Sequence, residues 1–346
     1  MEYVNLGNAG LKVSKICLGC MTFGNSAEWM LETEQSKPII NRAIDLGINF
    51  FDTANVYSKG RSEEIVGELL QGRRNDIVLA SKVRGVMGDG VNDYGLSRYH
   101  IMKQIEGSLS RLKTDHIDLY QTHRWDYTTP IEETLTTMSD LVRNGQVRYI
   151  GASNYFAWQL SKSLWTSKKL NLEKFVSMQN HHNLCYREEE REMVPLCKNE
   201  GVGLIPYSPL ARGFLTGKYS RDLSPQSVRY GTDHLLHQRF FRSEDFDVLE
   251  NVIELSNQKN VSPSQIALSW LFKKGITSII LGATKVEHID SAVGALSVKL
   301  SDDDLRFLED PYTPRDLSGP SYSTLTDTDL KRISDLKKDP LSNPPA

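Results

Sequence analysis

Eight short apolar runs rich in β-branched residues, most of them followed by an amphipathic stretch, predict an α/β chain folded as a single (β/α)8 (TIM) barrel. The runs are almost continuously hydrophobic, as strands covered on both faces must be. Glycines close many of the amphipathic stretches: Gly47, Gly72, Gly145, Gly201 and Gly275 stand where a helix end takes up a left-handed residue. A doubly wound sheet would want a G-x-G-x-x-G turn after a strand, and the chain carries none.

In order along the chain, YVNLGNAGLKVSK sets short strands around a Gly-Asn-Ala-Gly turn, a hairpin expected to cap the barrel bottom. Strands are expected at Ile16–Cys20, Ile48–Phe51, Ile77–Ala80, Ile117–Tyr120, Val147–Ile150, Phe175–Met178, Gly203–Pro206 and Ile276–Leu281. Helical stretches include Thr33–Leu46, Ser62–Gln71, Ser97–Leu112, Ile131–Arg143, Arg187–Glu200 and Ser262–Lys273. Ser97 and Ser262 are placed as N-caps, the second followed by Pro263 at the first helical position. A long loop, Tyr207–Ser243, is rich in Gly, Arg and Ser, and like other long loops belongs on the carboxyl-end face. The barrel is expected over residues 1–310. A Pro- and Ser-rich tail, 311–346, holds one weak helical stretch near Leu325–Leu336 and packs on the barrel or stays partly disordered.

Composition narrows the class. Of 346 residues, 39% are hydrophobic and 25% charged, an ordinary soluble balance. The net charge of −3 offers no strong field to nucleic acid or to an anionic membrane. No apolar stretch is long enough to span a bilayer. The start of the chain lacks the layout of a signal peptide. Four cysteines in so long a chain make no disulfide framework, so a cytoplasmic protein with reduced thiols is expected. The oligomeric state is left open.

In such a barrel the functional face is the carboxyl end of the strands. FFDTANVY ends the second strand in Asp52, with Tyr57 five residues on; LASK ends the third in Lys82; IDLYQTH ends the fourth in His123. A phenol is a poor acid at neutral pH, and a nearby ammonium lowers its pKa. Lys82 can supply that charge, Asp52 can hold Lys82 charged by pairing, and His123 can donate to the oxygen that Tyr57 protonates. The set suits protonation of a carbonyl oxygen. No nucleophile for covalent chemistry stands among them, so the hydride must come from a nicotinamide cofactor.

At these residues the chain resembles a family. FDTANVYSKGRSEEIVGELL, LASKV, IDLYQTHRWD and RYIGASNY are similar to the aldo-keto reductases, and the resemblance runs from Leu6 to about Leu300. It implies a barrel that binds extended NAD(P)H without a Rossmann fold. Tyr57 would be the general acid, Lys82 and Asp52 its tuners and His123 the carbonyl-orienting donor. It further implies that Ser153, Asn154 and Gln179 hold the nicotinamide carboxamide and that Tyr207 stacks on the ring. Ser208, Leu210, Arg212, Gly213 and Lys218 would line the pyrophosphate. Gly282, Thr284, Lys285 and His288, in ILGATKVEHIDSA, would face the adenosine. That segment departs from the family pattern at Thr284, His288, Ser291 and Ala292; Lys285 can still meet a 2′-phosphate. The implied cofactor is NADPH, with NADH as the alternative.

The expected function is reduction of a small aldehyde or ketone. The SPLARG branch also includes channel β-subunits, so a cofactor-sensing regulatory subunit is the competing reading. A dehydrogenase working mainly in the oxidative direction on a sugar, pyridoxal or an aryl alcohol is a third. Trp29 and Trp125 are candidate substrate walls, with Tyr127 and Phe156 beside them. Arg221, Arg229, Arg239 and Arg242 are either a nucleotide clamp or loop solubility. Cys17 and Cys20 lie three apart on a strand, where side chains diverge, and the His181-His182 pair has no acidic partner at a suitable spacing, so no metal site is expected.

Overall fold

The computed structural model describes residues 1–221 and 233–317. The hairpin comes first: β1 (Tyr3–Asn5) pairs antiparallel with β2 (Lys12–Ser14). Eight parallel strands follow: β3 (Ile16–Gly19), β4 (Phe50–Asp52), β5 (Val78–Val83), β6 (Ile117–Thr122), β7 (Val147–Ser153), β8 (Ser177–Gln179), β9 (Gly203–Leu204) and β10 (Ile279–Gly282). They pair in chain order from β3 to β9, with β10 beside β3. The seam closes between the first and last of that order. Thr277 N donates to Leu204 O at 3.0 Å, Ile280 N donates to Pro206 O at 2.9 Å, and Tyr207 bridges Ile280 in parallel register. The predicted (β/α)8 barrel is therefore the fold, and each expected strand overlaps an observed one.

Alternation along the strands separates two cores. Leu6 and Val13 of the hairpin join Cys17, Phe50, Ala80, Leu119 and Ile280 in an inner cluster, so the hairpin plugs the barrel floor. The other faces of the strands, with Leu18, Phe51, Leu79 and Tyr120, meet the helices in a larger outer cluster. Cys17 belongs to the inner cluster and Cys20 to the outer. Gly7, at φ 60°, carries the hairpin turn against the floor; a Cβ there would stand 2.4 Å from Gly201 O.

The helices are α1 (Thr33–Asp45), α2 (Arg61–Leu69), α3 (Arg98–Leu112), α4 (Ile131–Arg143), α5 (Ala157–Leu170), α6 (Met193–Glu200), α7 (His234–Arg239), α8 (Ser243–Lys259), α9 (Pro263–Lys273), α10 (Val286–Gly294) and α11 (Asp302–Glu309). Ser97 and Ser262 cap α3 and α9 as expected, accepting from His100 N and Gln265 N. The helix expected over Arg187–Glu200 is shorter. A 3-10 turn covers Glu188–Glu190, and α6 begins at Met193. Pro195 explains this, since it has no N–H for the carbonyl of Arg191 and its ring would clash there. Among the described residues no helix is long and apolar enough to cross a membrane. The start of the tail lies on the barrel: Tyr312 donates to Glu188 at 2.5 Å, and Arg315 pairs with Asp245 at 2.9 Å. Leu325–Leu336 and Arg229 fall outside the described residues.

Candidate active site

The strand ends bring Asp52, Tyr57, Lys82 and His123 together. The inner face of β6 runs Leu119, Gln121, His123, and the register sets Lys82 opposite Gln121. Lys82 has no exposed surface and Asp52 is 2% exposed. The Lys82 ammonium donates to Asp52 Oδ2 at 2.5 Å, to Thr53 O at 2.8 Å and to the Tyr57 hydroxyl at 3.2 Å. Asp52 Oδ1 accepts from Gln121 Nε2 at 2.9 Å and from Gln179 Nε2 at 3.0 Å. The Tyr57 and His123 rings meet edge to face, with centroids 5.7 Å apart.

Electrostatics follow from this packing. Burial pulls the Lys82 pKa down, but Asp52 and the phenol outweigh it and the net shift is upward, so the ammonium keeps its charge. Burial pushes Tyr57 up; Lys82 opposes that and Asp52 adds to it. The sequence reading expected Lys82 to lower the phenol. Its contribution has that sign, yet desolvation prevails and the net shift is upward. His123 lies well below its ordinary value through burial, with Lys82, Arg124 and Arg84 adding to the effect. At neutral pH the rim therefore holds a neutral imidazole, a protonated phenol and a charged ammonium.

The residues expected around a nicotinamide also gather here. Ser153 Oγ donates to Gln179 O at 2.9 Å, and Asn154 donates to Ser153 Oγ at 2.9 Å and to His123 O at 3.2 Å. Tyr207 donates to Asn154 Oδ1 at 2.9 Å. Gln179 Nε2 is held by Asp52 and Gln121, while no described residue donates to its Oε1. Behind Tyr207 lies His181, stacked at 5.4 Å on that ring and at 4.4 Å on Tyr186. The following loop turns through left-handed residues at Ser208, Ala211, Arg212 and Gly213, and Leu210 sits half-buried among them. Such runs can turn backbone N–H groups toward an anion. Arg212 itself is paired with Asp233 at 2.7 Å. Lys218 and Lys285 bear on His288, whose Nδ1 accepts from Thr284 N at 3.3 Å. Gly282 closes β10 beside them.

Other candidates separate. Trp125 is 9% exposed and packs against Tyr155, Trp158 and Tyr127, with Tyr155 at 5.2 Å. Trp29 is half-buried near the end of the loop before α1. Arg221 meets Asp247 and Glu250, and Arg242 meets Glu244, so both serve the surface of α8. His182 does have an acidic partner, Glu190, at 3.0 Å; the link spans the turn before α6, which sequence spacing does not reveal. Among the described residues no cluster of His, Cys, Asp or Glu could hold a metal.

Sequence reasoning missed Gln121 and Arg84. A polar residue at an inward position between Leu119 and His123 was the available sign for Gln121. Arg84 stands two residues past Lys82, bonded to the Tyr94 hydroxyl at 3.0 Å.

A closed eight-stranded barrel with this rim defines an oxidoreductase, and the profile of the Aldo/keto reductase family matches residues 15–311. The chain belongs to that family. It is 43% identical over 345 residues to a Schizosaccharomyces pombe protein named as an aryl-alcohol dehydrogenase, covering 92% of this chain and 97% of the relative. It is 40% identical over 338 residues to the versiconal hemiacetal acetate reductase of Aspergillus parasiticus, covering 91% and 98%. An aldo-keto reductase of Alternaria alternata is 38% identical over 347 residues, covering 92% and 94%. The family acts on small carbonyl compounds with nicotinamide cofactors.

Proposed function

We propose that the chain reduces an aldehyde or ketone to the alcohol, reversibly, with NADPH and with Tyr57 as the proton donor. The observation that carries this is the Lys82 ammonium, buried between the Asp52 carboxylate and the Tyr57 hydroxyl. Bound nicotinamide would supply the hydride. Tyr57 keeps its proton until a carbonyl oxygen takes it, and Lys82 then stabilises the phenolate left behind. Neutral His123 donates to the same carbonyl oxygen. Asp52 keeps Lys82 charged, and Gln121 and Gln179 fix Asp52.

The residues fit the cofactor. Tyr207 offers an aromatic plane, while Gln179 Oε1, Ser153 and Asn154 offer polar groups to a carboxamide. Lys218, with the loop over Ser208, Leu210, Arg212 and Gly213, would face the pyrophosphate. Gly282, Thr284, Lys285 and His288 would face the adenosine, and Lys285 is the cation for a 2′-phosphate. Trp29 and Trp125 remain proposed substrate walls. The chain is proposed to act as one barrel domain over 1–310, with 311–346 as an appended tail.

The test is steady-state turnover of aromatic and aliphatic aldehydes and their alcohols with both cofactors. NADPH-dependent aldehyde reduction is expected. Tight NADPH binding without turnover of any aldehyde or alcohol would overturn the proposal.

A further inference from the structure

Arg239 ends α7 with its side chain inside the protein, 9% exposed. Buried charges are paired as a rule. Other inward-facing arginines here obey it: Arg212 meets Asp233, Arg315 meets Asp245, and Arg187 meets Glu190 and Glu309. Arg239 makes no ion pair and no side-chain hydrogen bond with any described residue; the contact it does make is through its carbonyl, which accepts from Arg315 at 2.7 Å. Its guanidinium nitrogens are not sealed from solvent, so the head opens to a cleft.

The surroundings identify that cleft. Phe240, the next residue, packs edge-on against His181, and His181 stacks on Tyr207. Arg239 and Arg124 both act on the Tyr207 phenol, and Arg124 and Arg84 both act on His123. Glu189 is the acid that also faces Tyr207; it accepts from Asn180 and does not pair with Arg239. These arginines lie at the carbonyl end of the site. Lys218 and Lys285 gather instead around His288, at the adenosine end. The barrel mouth thus carries two separate groups of cations, and a cofactor's phosphates would account for only the second.

We propose that Arg239, with Arg124 and Arg84 beside it, receives an anionic group of the substrate, so that the favoured carbonyl compounds carry a carboxylate. A guanidinium is suited to this, because its planar fork matches a carboxylate bidentately. The inference rests on the carbonyl-reductase reading above.

The test compares 4-carboxybenzaldehyde with methyl 4-formylbenzoate, which share a ring and a reacting group. The parent should prefer the carboxylate by about ten- to a hundred-fold in kcat/KM, as for a charge-assisted hydrogen bond. Arg239→Met should bring that ratio near one, mainly through KM, and Arg239→Lys should keep part of it. Added KCl should shrink the parent's preference, a readout that stands even if the Met variant folds poorly. A parent with no preference for the acid, or a Met variant that keeps it, overturns the inference. So does a variant whose ratio is unchanged while NADPH binding weakens, since Arg239 would then meet the cofactor. Reduction of the ester without preference sinks this inference alone; failure to reduce either aldehyde sinks the reading beneath it.

Discussion

Replacing Lys82 by Met keeps the side chain's length and removes its charge. Lys82 has no exposed surface, and its three acceptors lie at 2.5, 2.8 and 3.2 Å. The variant leaves the Asp52 carboxylate buried with only the amides of Gln121 and Gln179. Breaking a buried pair in this way costs about 3–5 kcal/mol. Asp52→Asn leaves the ammonium buried against the Thr53 carbonyl and should cost a similar amount. If the two losses were independent, the double variant would lose about 6–10 kcal/mol, comparable with the whole stability of a domain. Acting as one unit, the pair predicts a double variant little worse than the worse single, a coupling of about 3 kcal/mol or more. Urea unfolding followed by Trp fluorescence and circular dichroism would measure it, provided the two transitions coincide. Coupling below about 0.5 kcal/mol would refute the buried-pair argument.

Other predictions follow from the same rim. With His123 held neutral, Tyr57 held protonated and Lys82 held charged, kcat/KM for reduction should be flat from about pH 6.5 to about pH 9; an alkaline limb starting below pH 8 would mean that burial does not protect the Tyr57 proton. A histidine with a depressed folded pKa contributes stability above the unfolded value of about 6.5 and loses it as pH falls below that. His123→Gln should therefore flatten the acid-side loss in urea titrations, and an unchanged slope would count against the depressed value. Burial raises the thiols of Cys17, Cys20, Cys185 and Cys197, the last up to about 12; a thiol reagent such as DTNB should label none of them in the native protein, and rapid labelling would show that they are accessible. Lys285→Ala should weaken NADPH by about ten- to a hundred-fold and spare NADH; equal binding of both cofactors to the parent would show that no 2′-phosphate is read.

The barrel was legible because buried parallel strands leave a plain mark. Ile16–Gly19 and Ile279–Gly282 are short, apolar and β-branched, and they pair across the chain's ends. Strand ends also made Asp52, Lys82 and His123 legible, since a polar residue closing a buried run on the functional face has few other purposes. Residue pattern cannot show how deeply a group is buried. The net upward shift of Tyr57 depends on desolvation, so a reading that counted only the neighbouring ammonium took the wrong sign. The Arg212–Asp233 pair spans a loop, and no spacing rule distinguishes it from Arg239, which lies six residues past Asp233 and finds no acid. Pro195 was visible in the sequence, yet the acidic and basic run before it suggested one continuous helix.

The central claim is that Tyr57 delivers the proton. Tyr57→Phe removes one oxygen and leaves the ring against His123. The account predicts that kcat for aldehyde reduction falls by about 10²–10⁴-fold, while NADPH still quenches Trp fluorescence with the parent's affinity. Turnover near the parent's level by that variant, with cofactor bound as tightly, would contradict it.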